Sequence, residues 1–484
     1  MKKLMLGVAF SAALFTGAAQ AVTFSGTTID ESVTTEIHLS GASAPLAFIE
    51  GLLTNQSVPD TNQLCVPNTT IYKYKDNGGG KDQNVYLCQT AARLTAAGVK
   101  PYLALYKRSL GGSAIGVNPL INGALVDFMK VKGVTCAASA PVGFLTTLTC
   151  GYYTTGTTVN AAFKNPKKPD FGVSDVDPAT FRGTNTPAGF QPVTAAQVAL
   201  LTVKPAVSQT FGVTVSLNLR NALQTLQGKP AGSELAANQP SLTTAQIKTI
   251  FAGNTALWST AIPGLAASHV HICRRVNGSG TGAQFAQYFY NYPTVGAAPQ
   301  RAAPASELAA VPVFAPESAA FASVHQLSTA GQVSECLAEL SAGTNTVGTA
   351  FNNIYGAKFA VGIQSTDANA NNAIAWRFVK VDNVAPTLAN VNAGTYKDWY
   401  EFTYNYNTAY YNTRPLDVKT GVSQVIAQTG VTPVVQALDV ATSNQLSHGQ
   451  AGFQTVPGAC TGSLYVNKFT RSGKAANAPL RKCP

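Results

Sequence analysis

Three segments of the chain share one pattern, in which an apolar strand-like run is followed by a turn of small residues and then by the start of a helix. They cover residues 39–45, 110–116 and 274–282. Strand-like runs that alternate with helix-like stretches are typical of parallel sheets flanked by helices. The pattern therefore predicts an α/β fold, and the length of 484 residues predicts two or three domains.

The rest of the chain follows the same alternation. Strands are predicted at residues 35–40, 101–106, 171–174, 212–219 and 270–275, and helices at residues 45–53, 242–252 and 283–290. Two Gly- or Pro-rich stretches, 65–88 and 299–316, predict surface loops outside the core. The aromatic stretch 399–411 favours packing against a sheet, with binding of a sugar or a partner as the alternative.

The N-terminus has the three parts of a secretory signal peptide. Lys2 and Lys3 form the charged start, residues 4–17 the apolar stretch, and Ala19-Gln20-Ala21 the cleavage site. We therefore predict a signal peptide at residues 1–21, with an uncleaved anchor as the alternative. No later apolar run has the length of a membrane span, so the mature chain is predicted to be periplasmic or secreted, without membrane insertion.

Eight cysteines fit an oxidising compartment. Their number is even and no Cys-x-x-Cys occurs, so zinc and thioredoxin-type sites lack their usual spacing. Many connectivities are open, and we predict pairing between sequence neighbours. The predicted bridges are Cys65–Cys88, Cys136–Cys150, Cys273–Cys336 and Cys460–Cys483.

The charge of the chain is mildly positive, with 33 Lys and Arg against 22 Asp and Glu. No run of Lys or Arg and no basic helix is present, so nucleic acid is not a predicted partner. An excess of positive charge attracts small anions, but it also serves solubility alone, and charge does not separate the two.

The three segments can each offer donors to an anion. Free backbone N–H groups at a helix start, the helix dipole, and Ser and Thr hydroxyls all favour negative charge, and Pro45 fits the first helical position. The third segment adds Arg275 to a Gly-Ser-Gly-Thr turn, and guanidinium binds phosphate oxygens in a bidentate way. The alternative for any one segment is an ordinary helix cap.

An acid, Asp175, follows the predicted strand at 171–174. Beside an anion site it can accept a hydrogen bond from an anion that still carries a proton, and it repels a fully ionised sulfate. The alternative is a turn aspartate. The combination predicts a site for a protonated oxyanion.

In this order the segments resemble the periplasmic phosphate-binding proteins of ABC importers, a branch of the two-lobed periplasmic binding proteins. The resemblance covers about residues 35–404 and rests on Ser40-Gly41-Ala42-Ser43-Ala44-Pro45, the Gly-Gly-Ser turn at Ser113, Phe171-Gly172-Val173-Ser174-Asp175, and Arg275-Val276-Asn277-Gly278-Ser279-Gly280-Thr281. Two departures are Pro45-Leu46, where Thr-Phe is common in the family, and Asn277, where an acid is common.

The resemblance implies the type 2 fold of this class: two lobes, each a mainly parallel sheet flanked by helices, joined by two crossover hinge strands. It implies that residues 22–210 and 366–484 form lobe 1, with the disulfide-closed insertions, and that residues 211–365 form lobe 2. It implies phosphate contacts from Ala44, Pro45, Ser113, Asp175, Arg275, Ser279, Gly280 and Thr281.

The resemblance also implies a monomeric binding protein for inorganic phosphate, without cofactor or catalysis, which delivers its ligand to the permease of an ABC transporter. One alternative is a secreted or surface-associated phosphate-binding or interaction protein with the same fold and no transporter. A second is a phosphoesterase that uses Asp175, although the sequence shows no nucleophile–base pair. His269 and His271 share a strand face with Cys273, but we predict a disulfide there and no metal.

Overall fold

The computed structural model describes residues 29–80, 82–154, 158–187, 189–293, 317–343, 356–441, 445–446, 449–456, 463–473 and 481–482. The predicted signal peptide, the predicted loop at 299–316 and the predicted bridge Cys460–Cys483 lie outside these residues. Within them, every helix is too short or too polar to pass through a bilayer.

The strands are short except for two, and they occur along the whole described chain. In chain order they are β1 (Thr34–Gly41), β2 (Ile71–Asp76), β3 (Gln83–Gln89), β4 (Tyr102–Arg108), β5 (Val126–Met129), β6 (Cys136–Ala138), β7 (Leu145–Cys150), β8 (Lys164–Lys167), β9 (Phe171–Ser174), β10 (Leu201–Ser216), β11 (Ser241–Leu242), β12 (His271–Arg275), β13 (Ser323–Leu327), β14 (Ala360–Ser365), β15 (Trp376–Phe378), β16 (Lys380–Val381), β17 (Trp399–Asn407), β18 (Gln445–Leu446), β19 (Gly449–Gln450), β20 (Phe453–Thr455), β21 (Phe469–Thr470) and β22 (Arg481–Lys482).

The helices occur along the whole described chain and have from 4 to 14 residues. They are α1 (Leu46–Thr54), α2 (Ala92–Ala96), α3 (Asn118–Asn122), α4 (Ala195–Val198), α5 (Leu217–Leu226), α6 (Thr244–Phe251), α7 (Trp258–Ala261), α8 (Gly280–Tyr290), α9 (Ala330–Ala342), α10 (Leu388–Asn392), α11 (Thr408–Thr413), α12 (Leu416–Thr429) and α13 (Thr432–Ala441).

Fourteen of the described strands form one continuous mixed sheet. Its order is β13-β12-β14-β10-β17-β9-β1-β4-β3-β2-β7-β6, and β15 and β20 also pair with β10. Parallel pairs form the centre of each half, β9, β1 and β4 in one and β14, β12 and β13 in the other. The prediction of a two-domain α/β fold is confirmed, with antiparallel strands added around each parallel centre.

Two long strands, β10 and β17, join the halves of the sheet. Residues 201–210 of β10 pair mostly with β17, and residues 211–215 pair with β14. β17 pairs in turn with β9. The chain therefore passes from one parallel centre to the other along β10.

Each half has its own apolar core, because alternate strand residues point to the same helix-covered face. In the first half, Ile37 and Leu105 pack with side chains of α1, α12 and α13. In the second half, Val213 and Ile272 pack with side chains of α6 and α8. Trp399, at the start of β17, also belongs to this second core.

The stretch 65–88 is not a surface loop, so that prediction is wrong. It contains β2 and β3, which pair with each other and extend the sheet outward from β4. Tyr74, Val85 and Leu87 are buried. The Gly-rich residues form only the hairpin turn between the two strands, and the apolar residues on either side alternate as in a half-buried strand.

Most other predicted elements are present within three residues of their predicted ends. The exception is the strand predicted at 212–219. It begins earlier, at Leu201, and ends at Ser216, where α5 begins. Helix α6 begins where the sequence suggests, because Thr243 and Gln246 form a reciprocal capping box.

Three of the predicted disulfides are present. Cys65–Cys88 and Cys136–Cys150 fasten the extension of the first half, and Cys273–Cys336 joins β12 to α9 in the second half. No described cysteine is free.

The C-terminal segment, residues 451–456 and 463–473, lies across both long strands. Its strand β20 pairs with β10 at residues 207–209. Glu401 of β17 is fully buried and accepts hydrogen bonds from the backbone N–H groups of Arg471 (2.9 Å) and Gly473 (2.7 Å). The Arg471 guanidinium lies 4.6 Å from the ring centre of Trp399. This segment is therefore fixed to the connection between the two halves.

Candidate functional site

The candidate site is built from turns at the carboxyl ends of parallel strands. Three of these turns follow β1, β4 and β9 in the first half, and others follow β12, β13 and β14 in the second. Parallel neighbouring strands end at the same edge of a sheet, which is where open α/β folds bind their ligands. The segments singled out in the sequence are brought to that edge because each directly follows a strand.

Three predicted residues form one contact cluster between the halves. The Ser113 hydroxyl accepts a hydrogen bond from the backbone N–H of Asp175 at 3.1 Å. The Thr281 hydroxyl donates to Asp175 Oδ2 at 3.3 Å. Beside them, the backbone N–H of Ala114 donates to the carbonyl of Gly278 at 2.9 Å. Ser113 and Asp175 from the first half therefore meet Thr281 from the second.

Helix α8 begins at this cluster. Ser279 caps the helix, since its hydroxyl accepts from the backbone N–H of Gly282 at 3.2 Å. Gly280 lies so close to the first half that a Cβ there would be 2.2 Å from Ser113 Oγ and 2.6 Å from Asp175 Cβ. Only glycine allows this approach, which leaves the first backbone N–H groups of α8 at the junction.

Arg275, the last residue of β12, supplies a buried positive charge. Its side chain is buried, and one terminal nitrogen donates to the carbonyl of Ser328 at 2.7 Å. Its Nε has no hydrogen-bond partner among the described residues. Burial lowers the pKa of Arg275 to about 10, and the carboxylate of Asp175 acts in the opposite direction.

Asp175 is the corresponding buried acid. Burial raises its pKa to about 6, while Arg275, the Thr281 hydroxyl and Lys107 act to lower it. Its Oδ1 is buried and has no hydrogen-bond partner among the described residues. At neutral pH this carboxyl group is therefore largely ionised and has a free acceptor atom.

Ala44 and Pro45 lie at the start of α1, after β1. Pro45 occupies the cap position, so it stands one residue before the helical position predicted for it, because its backbone dihedrals are not helical. No hydrogen bond of the described residues joins either residue to the other six predicted contacts. The turn itself does reach the second half, since the Ser43 hydroxyl accepts from the backbone N–H of Ala330 at 3.3 Å.

Sequence reasoning missed two charged residues at this edge. Lys107 is fully buried near the end of β4 and interacts with the charge of Asp175. Asp367 follows β14, and its charge raises the pKa of Asp175. Lys107 had a signal in the sequence, because it stands in phase with Leu103 and Leu105 on a strand; Asp367 had none.

His269, which precedes β12, and His271, its first residue, have other partners. His269 contacts the Ser323 hydroxyl at 2.9 Å, and His271 contacts His325 at 3.1 Å. Cys273 is part of a disulfide. Across the described residues, no group of three or more acidic, histidine or cysteine side chains is arranged to hold a metal ion.

Comparison with known proteins gives only distant similarity. No family model matches the chain, and no curated protein does. Among solved structures, the chain is similar to a Clostridium perfringens protein assigned as a phosphate ABC transporter substrate-binding protein and solved with bound phosphate. The identity is 13%, the alignment covers 84% of this chain and 98% of the other, and the TM-score is 0.43.

Two further structures give the same result. An ABC-type phosphate transport receptor from Vibrio cholerae is 12% identical, with 87% of this chain and 100% of the other covered and a TM-score of 0.37. A phosphate-binding protein from Stenotrophomonas maltophilia is 13% identical, with 85% and 94% covered and a TM-score of 0.35. These TM-scores are too low to decide function, so the site's own contacts must do so.

Proposed function

We propose that this chain binds inorganic phosphate, or a similar protonated oxyanion, between its two lobes, and that it is a solute-binding protein rather than an enzyme. The observation that carries the proposal is a pair of buried polar atoms, Asp175 Oδ1 and Arg275 Nε, that have no partner among the described residues. Buried polar groups normally have partners, and an unpaired one calls for an explanation. An anion that both accepts and donates would satisfy the two atoms together.

Each proposed contact has a distinct chemical task. Arg275 neutralises the anion, and the hydroxyls of Ser113 and Thr281 with the first N–H groups of α8 surround its oxygens. Ser279 and Gly280 shape that helix start, and Ala44 and Pro45 would approach from the start of α1. Asp175 accepts a hydrogen bond from a protonated oxygen, which sulfate cannot offer at neutral pH.

The two lobes would close on the anion by a hinge motion at β10 and β17. We assign residues 22–210 and the C-terminal part of the chain to lobe 1, and residues 211–365 to lobe 2. The packing of Val379 and Trp399 in the second core supports placing residues 376–399 with lobe 2 as well. An anion held by contacts from both lobes stabilises the closed form.

We place the mature protein outside the cytoplasm, in the periplasm or secreted, after removal of residues 1–21. The three disulfides support this, because such bonds persist mainly in oxidising compartments. The proposed partner is the permease of an ABC transporter, which would recognise the closed form. N-terminal sequencing of the exported protein should begin at Val22.

The decisive experiment is calorimetric titration of the purified protein with phosphate and with sulfate near pH 7.5. We expect phosphate to bind and sulfate to bind at least about a hundredfold more weakly. Arg275→Ala should weaken phosphate binding by about tenfold to a hundredfold or more, since a hydrogen bond to a charged group contributes about 1.5–3 kcal/mol.

The selectivity is expected to depend on Asp175. Asp175→Asn should admit sulfate, because the amide can donate a hydrogen bond where the carboxylate cannot. Asp177→Asn is the matched control: it removes a charge two residues away and keeps a side chain that can cap the turn. Absence of phosphate binding, or unchanged binding in Arg275→Ala, would contradict the proposal.

A further inference from the structure

Lys107 is the one lysine of β4, and its side chain is fully buried. Its ammonium group donates to the carbonyl oxygens of Gly41 (3.2 Å), Ala42 (3.0 Å) and Arg108 (3.1 Å), and to the Ser109 hydroxyl (3.1 Å). All four acceptors are neutral. A buried charge that lacks a direct counter-charge is unfavourable, so the position of this amine requires an explanation.

Two charged groups act on Lys107 besides its burial. Burial lowers its pKa to about 7, Asp175 raises the pKa, and Arg108 beside it lowers the pKa. The residues directly opposite Lys107, which are Leu39 on β1 and Asn84 on β3, are not titratable. The carboxylate that acts on this amine is Asp175, the acid of the proposed anion site.

The hydrogen bonds of Lys107 also connect it to the turn that carries Ala44 and Pro45. Gly41 and Ala42 are the two residues before Ser43, whose hydroxyl contacts the second half. The backbone N–H of Ala42 donates to the carbonyl of Val173, two residues before Asp175. Hydrogen bonds thus link Lys107 to the turn after β1, and link that turn to the strand that leads to Asp175.

We propose that Lys107 is a second cationic determinant of the anion site, which positions the turn after β1 and whose protonation is coupled to anion binding. The inference rests on the proposed function. Asp175 acts on both Arg275 and Lys107, Asp82 acts on Arg275 as well, and a bound anion would add negative charge beside the two cations. Binding an anion therefore favours the protonated amine, and protonation of the amine favours binding.

The sign of the pH effect follows from this coupling. Above neutral pH much of the free protein has a neutral amine at Lys107. Binding of the anion must then be accompanied by uptake of a proton at this amine. Phosphate affinity should fall as the pH rises through about 7 to 9, and each binding event should take up a fraction of a proton. Phosphate itself also exchanges protons in this range, so only the difference between variants measures Lys107.

The test is phosphate calorimetry near pH 8 in two buffers of different ionisation enthalpy, with Lys107→Gln and the matched control Lys204→Gln. Gln keeps N–H donors for the carbonyls but has no charge. Lys204 lies on β10 of the same lobe and is exposed. We expect Lys107→Gln to take up fewer protons than the parent and to bind about tenfold more weakly near pH 6.5, with Lys204→Gln unchanged.

A second measurement does not need the variant to fold. In the parent protein labelled with carbon-13 at the lysine ε-carbon, one resonance should titrate near neutral pH, and phosphate should move its midpoint upward. If phosphate binds but moves the midpoint of no lysine resonance, and the proton uptake of Lys107→Gln equals that of the parent, the role of Lys107 is overturned and the proposed function stands. If phosphate does not bind to the parent, both are overturned.

Discussion

Gly280 shows at the scale of one residue how tightly the two halves approach. Its α-carbon faces Ser113 and Asp175 with no room for a side chain. Gly282, two residues further along α8, has room for a methyl group, since a Cβ there would make only ordinary van der Waals contacts, the shortest of them 3.7 Å. The close approach of the two halves requires glycine at position 280 but not at position 282. Substitution by alanine should therefore have different effects at the two positions.

We expect Gly280→Ala to weaken phosphate binding by about tenfold or more, because the added methyl group would force apart the halves between which we propose that the anion binds, and overpacking typically costs about 1–3 kcal/mol. Calorimetry measures the effect. Gly282→Ala should bind normally and unfold at a slightly higher temperature, since Ala is favoured over Gly inside a helix. Equal affinities for the two variants would show that the approach at Gly280 is not needed.

Single residues also show what a sequence can and cannot predict about the site. Asp175 was identifiable because it directly follows a strand-like run, and Arg275 because it stands just before a Gly-Ser-Gly-Thr turn. Lys107 was missed because a lysine near a strand end is usually exposed, and only its phase with Leu103 and Leu105 indicated burial. The distance of Ala44 from the other predicted contacts depends on how the two halves pack together, and a local sequence pattern does not determine that packing.

At the scale of elements, the neighbouring strands β12 and β13 carry a buried pair of imidazoles. His271 and His325 are stacked, with ring centres 5.4 Å apart. Burial, together with the charge of neighbouring histidines, lowers the pKa of each to about 3, and Lys358 adds to the effect at His271. Unfolding releases both imidazoles into water, where the pKa is about 6.5.

This pair should make folding sensitive to acid. Between about pH 6.5 and 3 the unfolded chain binds more protons at these histidines than the folded chain does. The free energy of unfolding is therefore not reduced by this pair above pH 6.5, and it falls as the pH decreases below that value. At pH 5 each histidine should cost about 2 kcal/mol of unfolding free energy. Urea unfolding at pH 5 and 7.5 measures this, and His325→Gln should reduce the loss by about that amount. An identical loss in parent and variant would contradict the prediction.

Strands and helices were predicted well where the sequence shows a clear strand–turn–helix pattern. They were predicted poorly where turn-forming residues dominate the local composition. The strand–turn–helix units around β1, β4 and β12 were identifiable because each is a complete local unit. β2 and β3 were assigned to a loop because the Gly-rich turn between them and the flanking cysteines outweighed two short alternating runs. The sheet they join is formed by pairing with β4, which a local window does not contain.

At the scale of the molecule, the C-terminal segment connects the two lobes at their crossover strands. Glu401 holds it, because this buried carboxylate accepts two backbone hydrogen bonds and one from the Thr470 hydroxyl. The same segment contacts α10 of the second half, where the Asn392 side chain accepts from the backbone N–H of Lys468 at 3.2 Å. The segment therefore restrains the region in which the proposed hinge motion would occur.

Glu401→Gln should loosen this attachment, since the amide places a donor where backbone donors already point. We expect hydrogen exchange in residues 451–456 and 463–473 to accelerate by about tenfold, which corresponds to about 1.4 kcal/mol. Glu234→Gln is the control, because that carboxylate is 42% exposed and pairs with Arg220 and Arg377 away from the segment. Unchanged exchange in Glu401→Gln would show that other contacts hold the segment.

The pairing of β20 with β10 also has a consequence for biosynthesis. Val207 to Gln209 leave the ribosome more than two hundred residues before Phe453 to Thr455, their partners on one side. Until those last residues arrive, this stretch of β10 has an open strand edge, and open edges template association with other chains. A nascent or prematurely terminated chain that lacks residues beyond 450 should therefore aggregate more readily than the full-length polypeptide.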